Sequence, residues 1–413
     1  MAANARLRIG SSQTFAALRH HNYRLWFTGQ LVSLVGTWMQ ATAQGFLIYE
    51  LTQSPVYLGY VGFAAGGPSL LFSLYGGVLA DRMPRRTLLL ITQTAMMIVG
   101  FIQAGLTFLN LVQPWHIIAL AFLNGIATAF DAPARQSFVL ELVTREDLSN
   151  AIALNSTMLN LAFVAGPAAA GLAYATIGAA GCFALNGLSF IAIIVALLRM
   201  KLCLDCLPNR VVTSALSDAK EGVHYVAHHP IILTVVGWVG VMSLFGQSLN
   251  TLMPDWAVAI LGGDATTNGF LQSARGVGAL IAALMAASLV QSGRKGRLLT
   301  IGGFVFPAVL LIFAALRWLP LSLAALVGMA WGNVLFMNMA NMIVQGHTPD
   351  DLRGRVMSIY VFVMFGATPI GSLLTGASAQ LLGAPLTLAI CAVVILGASG
   401  LVWLKVPQLR MAE

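Results

Sequence analysis

Four stretches of this chain, residues 25–49, 87–130, 151–198 and 356–404, contain no Asp, Glu, Lys or Arg. A helix needs about 20 mostly apolar residues to cross the hydrocarbon core of a bilayer, and the last three stretches are each long enough for two crossings. Only 9% of the residues are charged and 58% are hydrophobic, against roughly 25% charged in an ordinary soluble domain. Water is therefore not the main solvent, and the net charge of +8 marks one side of a membrane rather than a nucleic-acid partner.

The first apolar run is too long for the h-region of a cleaved signal, so the first helix is expected to stay in the mature protein. Cys182, Cys203, Cys206 and Cys391 are too few and too scattered for a disulfide framework.

Dividing the apolar stretches at Pro, Gly and charge predicts twelve helices: 23–49, 55–80, 87–110, 114–134, 150–176, 180–199, 231–253, 267–291, 297–316, 319–346, 354–382 and 384–404. With the N-terminus inside, all of the 22 Lys and Arg except Arg275 and Arg317 fall on the cytoplasmic side, the bias expected of loops that are not translocated. The expected organisation is a cytoplasmic segment 1–22, a six-helix bundle 23–199, a cytoplasmic linker 200–230, a second six-helix bundle 231–404 and a tail 405–413. The halves echo each other. Thr144-Arg-Glu-Asp147-Leu148 before helix 5 returns as Thr348-Pro-Asp-Asp351-Leu352 before helix 11, and Asp81-Arg82-Met-Pro-Arg85 after helix 2 as Gly293-Arg294-Lys-Gly-Arg297 after helix 8. Duplicated six-helix units are a transporter architecture.

The segment Gly77-Val-Leu-Ala-Asp81-Arg82-Met-Pro84-Arg85-Arg86 resembles the cytoplasmic signature between helices 2 and 3 of the major facilitator superfamily, with Pro84 where a glycine is usual. Asn22-Tyr-Arg-Leu-Trp26, Gly36-Thr-Trp-Met-Gln40, Asp131-Ala-Pro-Ala-Arg135-Gln136 and Leu148-Ser-Asn150-Ala-Ile-Ala-Leu-Asn155 are similar to the branch containing the enterobactin exporter and related secretion effectors. The resemblance implies an all-α membrane protein of two six-helix bundles rocking about a central cavity, lined by helices 1, 4, 7 and 10.

Polar stripes on those four helices agree with that expectation. Gln30, Ser33, Thr37, Gln40 and Gln44 recur at helical spacing in helix 1. Helix 4 has Asn124, Thr128, Asp131 and Arg135; helix 7 has Ser243, Gln247 and Asn250; helix 10 has Asn338, Asn341 and Gln345. Such amides either face a cavity or join helices by hydrogen bonds worth about 0.6 kcal/mol each. Gln40, Gln44, Asn124, Gln247 and Asn338 are the candidate substrate contacts. Trp38, Met39, Trp331 and Met337 lie among them, a mixture suited to an amphiphile.

Arg275 lies inside helix 8, where an exposed charge at mid-membrane costs at least ~2.5 kcal/mol. Either it pairs with Asp255 at the outer end of helix 7, or it selects anionic substrates. The resemblance implies that Gly77, Asp81, Arg82 and Arg85 form a latch closing the cytoplasmic side against the start of helix 11. Arg135 either completes that latch or pairs with Asp131. Gly166-Pro167, followed by Gly171 in helix 5, resembles the antiporters' Gly-Pro motif, with helix 8 and its Gly276 and Gly278 as the expected neighbour. Proton exchange is implied by resemblance alone, because no carboxylate lies in the central third of any helix; Asp131 and Glu141 are the nearest.

Cys203, Cys206, His224 and His228 have a spacing longer than a zinc finger's and fall in an amphipathic linker, so no metal is expected. No phosphate-binding glycine loop or nucleophile elbow is present, and neither a cofactor nor enzymatic activity is expected. The reading is a monomeric exporter of a small amphipathic molecule, siderophore-like or drug-like, in a cell inner membrane with both termini cytoplasmic. A lysophospholipid flippase and a non-transporting scaffold or receptor are the alternatives.

Overall fold

A computed structural model describes residues 15–201, 215–289 and 294–411, which are helical with short turns and contain no strand. The first half comprises α1 (His21–Thr52), α2 (Pro55–Arg82), α3 (Arg85–Phe108), α4 (Pro114–Leu142) and one continuous unit, Leu148–Arg199. Gly178 breaks that unit with φ 72°, a left-handed conformation that costs glycine little. Its arms are α5 (148–177) and α6 (179–199). A linker helix, Ala215–His228, leads to α7 (230–260), and then come α8 (Ala265–Leu289), α9 (Lys295–Ala315), α10 (Leu319–Gly346), α11 (Arg353–Leu382) and α12 (Ala384–Lys405).

Among the described residues, ten helices qualify as membrane spans by length and composition. One is the 52-residue α5–α6 unit, which is long enough for two crossings. Helix α8 lies between α5 and α10, its Gly276 against Val164 and its Gly278 against Val327. The total is consistent with the twelve expected. Five of the helices start with proline in the first turn, at Pro55, Pro114, Pro230, Pro320 and Pro385, where the missing N–H loses no bond.

Two helices run further than expected. Helix α4 continues past residue 134 to Leu142 because Phe138, Val139 and Leu142 are buried in the core shared with Trp26 and Leu197. Helix α7 reaches Ile260, but not as one α-helix. It passes from α (Pro230–Val241) through a π turn (Met242–Gly246), a 3-10 stretch (Gln247–Leu252) and Met253–Asp255 to a second π turn (Trp256–Ile260). Irregular backbone inside a membrane span is tolerated where protein or a cavity covers it. Here Gly371 of α11 packs on the Leu244 carbonyl.

The molecule divides into two bundles, each with its own apolar interior. Buried side chains from Val226 to Leu409 form one continuous cluster. Those of the first half form separate clusters, one around Trp26 and Phe138 and another around Ile48 and Phe183. The linker helix lies against the second bundle, with Gly222 on the Arg355 carbonyl, Glu221 paired with Arg355 at 2.8 Å and the Tyr225 hydroxyl donating to the His347 carbonyl.

Candidate functional site

The bundles meet along two seams concentrated toward the end of the molecule opposite the termini, here the far end. In the first, Gly59, Gly62 and Gly66 of α2 face Gly376, Ser372 and Pro369 of α11. In the second, Pro167, Gly171 and Val164 of α5 face Gly269, Thr266 and Gly276 of α8, with the Ser273 hydroxyl donating to the Val164 carbonyl at 2.9 Å. Small residues let helix backbones approach this closely. Ser54 also donates to Gln380 at 2.6 Å across the far end. Further along the same face of α2, a β-carbon on Gly77 would meet nothing within 4 Å among the described residues.

Beneath this closed end lies a cavity of about 330 Å³, within the range of small-molecule sites. Gln40, Gln44, Asn124, Phe163 and Asn186 line it from the first bundle, and Gln247, Asn250, Gln272 and Arg275 from the second. Trp38, Leu58, Val61, Pro167 and Pro254 supply apolar surface. The buried amide oxygens of Asn124 and Asn250 have no hydrogen-bond partner among the described residues.

The cavity therefore gathers Gln40, Gln44, Asn124 and Gln247 of the five candidate contacts, together with Arg275. Asn338 is half-buried on α10 and is not among the lining residues, nor does any other α10 residue contribute. Two other α10 amides bond to each other, Gln345 donating to Asn341 at 2.6 Å.

The helix 1 stripe divides between cavity and bundle interior. Gln40 is 3% exposed; its Nε2 donates to Gln103 Oε1 at 3.2 Å, and its Oε1 accepts from Asn186 Nδ2 at 2.5 Å. Ser33 donates to Gln93 at 3.5 Å, and Gln44 to the Ile117 carbonyl at 3.5 Å. Those partners on α3 and α6 escaped the sequence reading, although Gln93, Gln103 and Asn186 are amides on otherwise apolar helices.

Asp255 does not pair with Arg275. Its carboxylate meets the Tyr49 hydroxyl of α1. Arg275 makes no ion pair among the described residues: Nη1 donates to Gln272 Oε1 at 2.9 Å, and its Cζ lies 5.7 Å from the centre of the Phe163 ring on α5. Phe163 in turn sits edge-on to Trp38, 4.7 Å between centroids.

Toward the end bearing the termini, Asp131 is buried in the first bundle. Its Oδ1 accepts from Thr92 Oγ1 at 2.9 Å and Gln93 Nε2 at 2.8 Å, and its Oδ2 lies 3.6 Å from Arg135 Nε. The pairing of Arg135 with Asp131 is thus the arrangement seen. Arg85 pairs with Glu141 and Arg82 is exposed; the Asp81 side chain lies outside the described residues. Gly166 packs on Trp38 and the Val35 carbonyl of α1, while the Pro167 carbonyl faces Gly269 of α8. Of the two expected glycine neighbours, Gly276 faces α5 and Gly278 faces α10. Cys203 and Cys206 also lie outside the described residues. His224 and His228 lie against each other along the linker helix, 4.1 Å between centroids with the rings tilted by 42°.

Residues 12–413 match the family described as transmembrane secretion effector. The staphyloferrin A transporter of Staphylococcus aureus is 24% identical over 369 residues, covering 87% of this chain and 90% of its own. The multidrug efflux pump Tap of Mycolicibacterium fortuitum is 26% identical over 365 residues, covering 86% and 88%. The enterobactin exporter EntS of Escherichia coli is 27% identical over 370 residues, covering 86% and 85%. Among solved structures, a bacterial homologue of the human lysosomal transporter Spinster, inward-facing and unoccupied, is similar with a TM-score of 0.74 at 11% identity, covering 97% of this chain and 98% of that one. The nucleoside transporter NupG gives 0.74 at 12% identity, covering 94% and 98%. At these identities the structures speak for the fold alone. Sequence, fold and a cavity shared by two helical bundles together make this chain a multi-pass membrane transporter, and it belongs to the transmembrane secretion effectors of the major facilitator superfamily.

Proposed function

We propose that the protein exports a small amphipathic organic compound across a cell inner membrane by alternating access. The observation that carries this reading is the cavity between the bundles, lined by amides from both of them together with Trp38 and Phe163, with glycine seams closing it at the far end. With the termini cytoplasmic, as the distribution of Lys and Arg supports, this is a form closed to the outside. Rocking the bundles apart at the glycine seams exposes the cavity there. Relatives named for siderophores and for multidrug efflux support export. Exchange for protons, and action as a monomer, complete the proposal on family likeness.

The Asp81 latch belongs to the alternate form: when the far end opens, the end bearing the termini must close, and the α2–α3 turn is the segment to close it. Reconstitution in liposomes with a pH-sensitive dye inside tests the whole reading. Proton movement that depends on one added compound and is lost in Asp81→Asn is the expected result. Movement of the compound down its own gradient without proton flux overturns the antiport part, and absence of any compound flux overturns export.

A further inference from the structure

The cavity carries one charge. Arg275 is the sole Asp, Glu, Lys, Arg or His among its lining residues, and no carboxylate neutralises it among the described residues. Three carboxylates of the membrane-spanning helices are engaged elsewhere: Asp255 meets Tyr49, Glu50 accepts from Tyr174, and Asp131 holds Thr92, Gln93 and Arg135. A guanidinium cannot shed its charge in a protein and presents its donors as a planar fork matched to a carboxylate. Gln272 occupies one of those donors and the Phe163 face supports the group, leaving the others for a ligand. Around it, Asn124 and Asn250 offer buried amide oxygens that lack donors, and Trp38 and Phe163 offer aromatic surface.

From this geometry we infer the substrate class, resting on the transport reading above: an organic carboxylate bearing hydroxyl or amide N–H donors and a planar apolar part, held by Arg275. The carboxylate pairs with the guanidinium, the donors satisfy Asn124 and Asn250, and the planar part lies on Trp38 and Phe163. A cationic amphiphile is disfavoured because no acidic residue lines the cavity and Arg275 repels it. Among the siderophore-like and drug-like compounds expected from the sequence, the cavity favours acids over cations.

Three compounds of one shape test the inference on the full chain in lipid nanodiscs: N-salicyloylglycine, its methyl ester, and N-(2-aminoethyl)salicylamide, in which an ammonium replaces the carboxylate. Affinity is read from tryptophan fluorescence and thermal stabilisation. The acid is expected to bind about tenfold or more tighter than the ester, the scale of one charge-assisted hydrogen bond, and the ammonium compound weakest. Arg275→Gln should bring acid and ester to equal affinity, and Arg275→Lys should restore part of the difference. Equal binding of the three compounds, an acid preference that survives in Arg275→Gln, or no binding of any of them overturns the inference. So does selective binding of lysophosphatidylglycerol, included as an anionic lipid, with none of the acid. Flux of the same compounds in liposomes separates the two readings: acid-selective binding without flux overturns export and leaves the anion site, whereas equal flux of all three overturns the anion site and leaves export.

Discussion

A β-carbon placed on Gly376 would lie 2.9 Å from the Cα of Gly59, and one placed on Gly269 would lie 2.9 Å from the Cα of Gly171. These two contacts stand in matching places in the two halves. Gly59 and Gly269 are each the fifth residue of their helices, α2 from Pro55 and α8 from Ala265, and their partners lie near the far ends of α11 and α5. The internal repeat seen in the loop sequences thus reappears as a pair of equivalent seams, and in both the backbones touch because neither side carries a side chain.

A valine at Gly59 or Gly376 has no room in the closed form. Overpacking of this kind costs about 1–3 kcal/mol, borne by the form in which the seam is shut. Gly59→Val is expected to widen the spin-label distance between Gln53 and Leu381, both exposed at the far end, by shifting the population about tenfold toward the open form. An unchanged distance distribution in a folded variant would show that the seam is not what holds this end closed.

Asp131 is 2% exposed and satisfies three groups at once. Replacing it by alanine strands the Gln93 donor in the bundle interior, while the Thr92 hydroxyl keeps the Leu89 carbonyl at 3.1 Å, and a stranded donor costs about 1–3 kcal/mol. Asp131→Ala should therefore lower unfolding stability in detergent by at least that amount. A variant as stable as the parent but defective in flux would instead assign Asp131 to switching.

Gln40 and Asn124 both line the cavity, but their bonding differs. Gln40 bridges Gln103 and Asn186, whereas the Asn124 side-chain oxygen has no partner. Gln40→Leu is expected to lose about 1–3 kcal/mol of stability by unsatisfying two buried amides. Asn124→Leu should leave stability within about 1 kcal/mol and weaken substrate binding. Ligand titrations and thermal unfolding of both variants check this, and the reverse pattern would refute it.

The linker helix is tied to α11 where Gly222 touches the Arg355 carbonyl, a β-carbon there falling 2.9 Å away. Gly222→Leu should lift the helix from the bundle, so trypsin should cut at the exposed Lys220 several times faster, in line with the larger open fraction that about 1 kcal/mol produces. Cleavage at the parental rate would mean that the helix is held by other contacts, Glu221–Arg355 among them.

Much of the architecture was legible in the chain itself. Charge-free stretches located the crossings, prolines and charges marked their ends within a few residues except at α4 and α7, and the paired loop motifs announced two related halves. These are local properties, because the bilayer imposes the same length and the same apolar demand on every crossing. Of the Gly166-Pro167 segment, Pro167 meets α8 at Gly269 whereas Gly166 packs on α1, both close contacts of the kind small residues allow.

What the tertiary structure decided was the destination of each polar side chain. A helical period shows that Gln30, Ser33, Thr37, Gln40 and Gln44 share a face, but an amide on that face is satisfied equally by a cavity and by a neighbouring amide. The packing of α3 and α6 placed Gln93, Gln103 and Asn186 against that stripe and left Gln40 bonded within the bundle. It closed Asn341 and Gln345 on each other, left Asn338 outside the cavity lining, and turned Asp255 to Tyr49 while Arg275 faced the cavity. Such pairings join residues far apart in sequence, and their geometry is fixed only when whole helices dock.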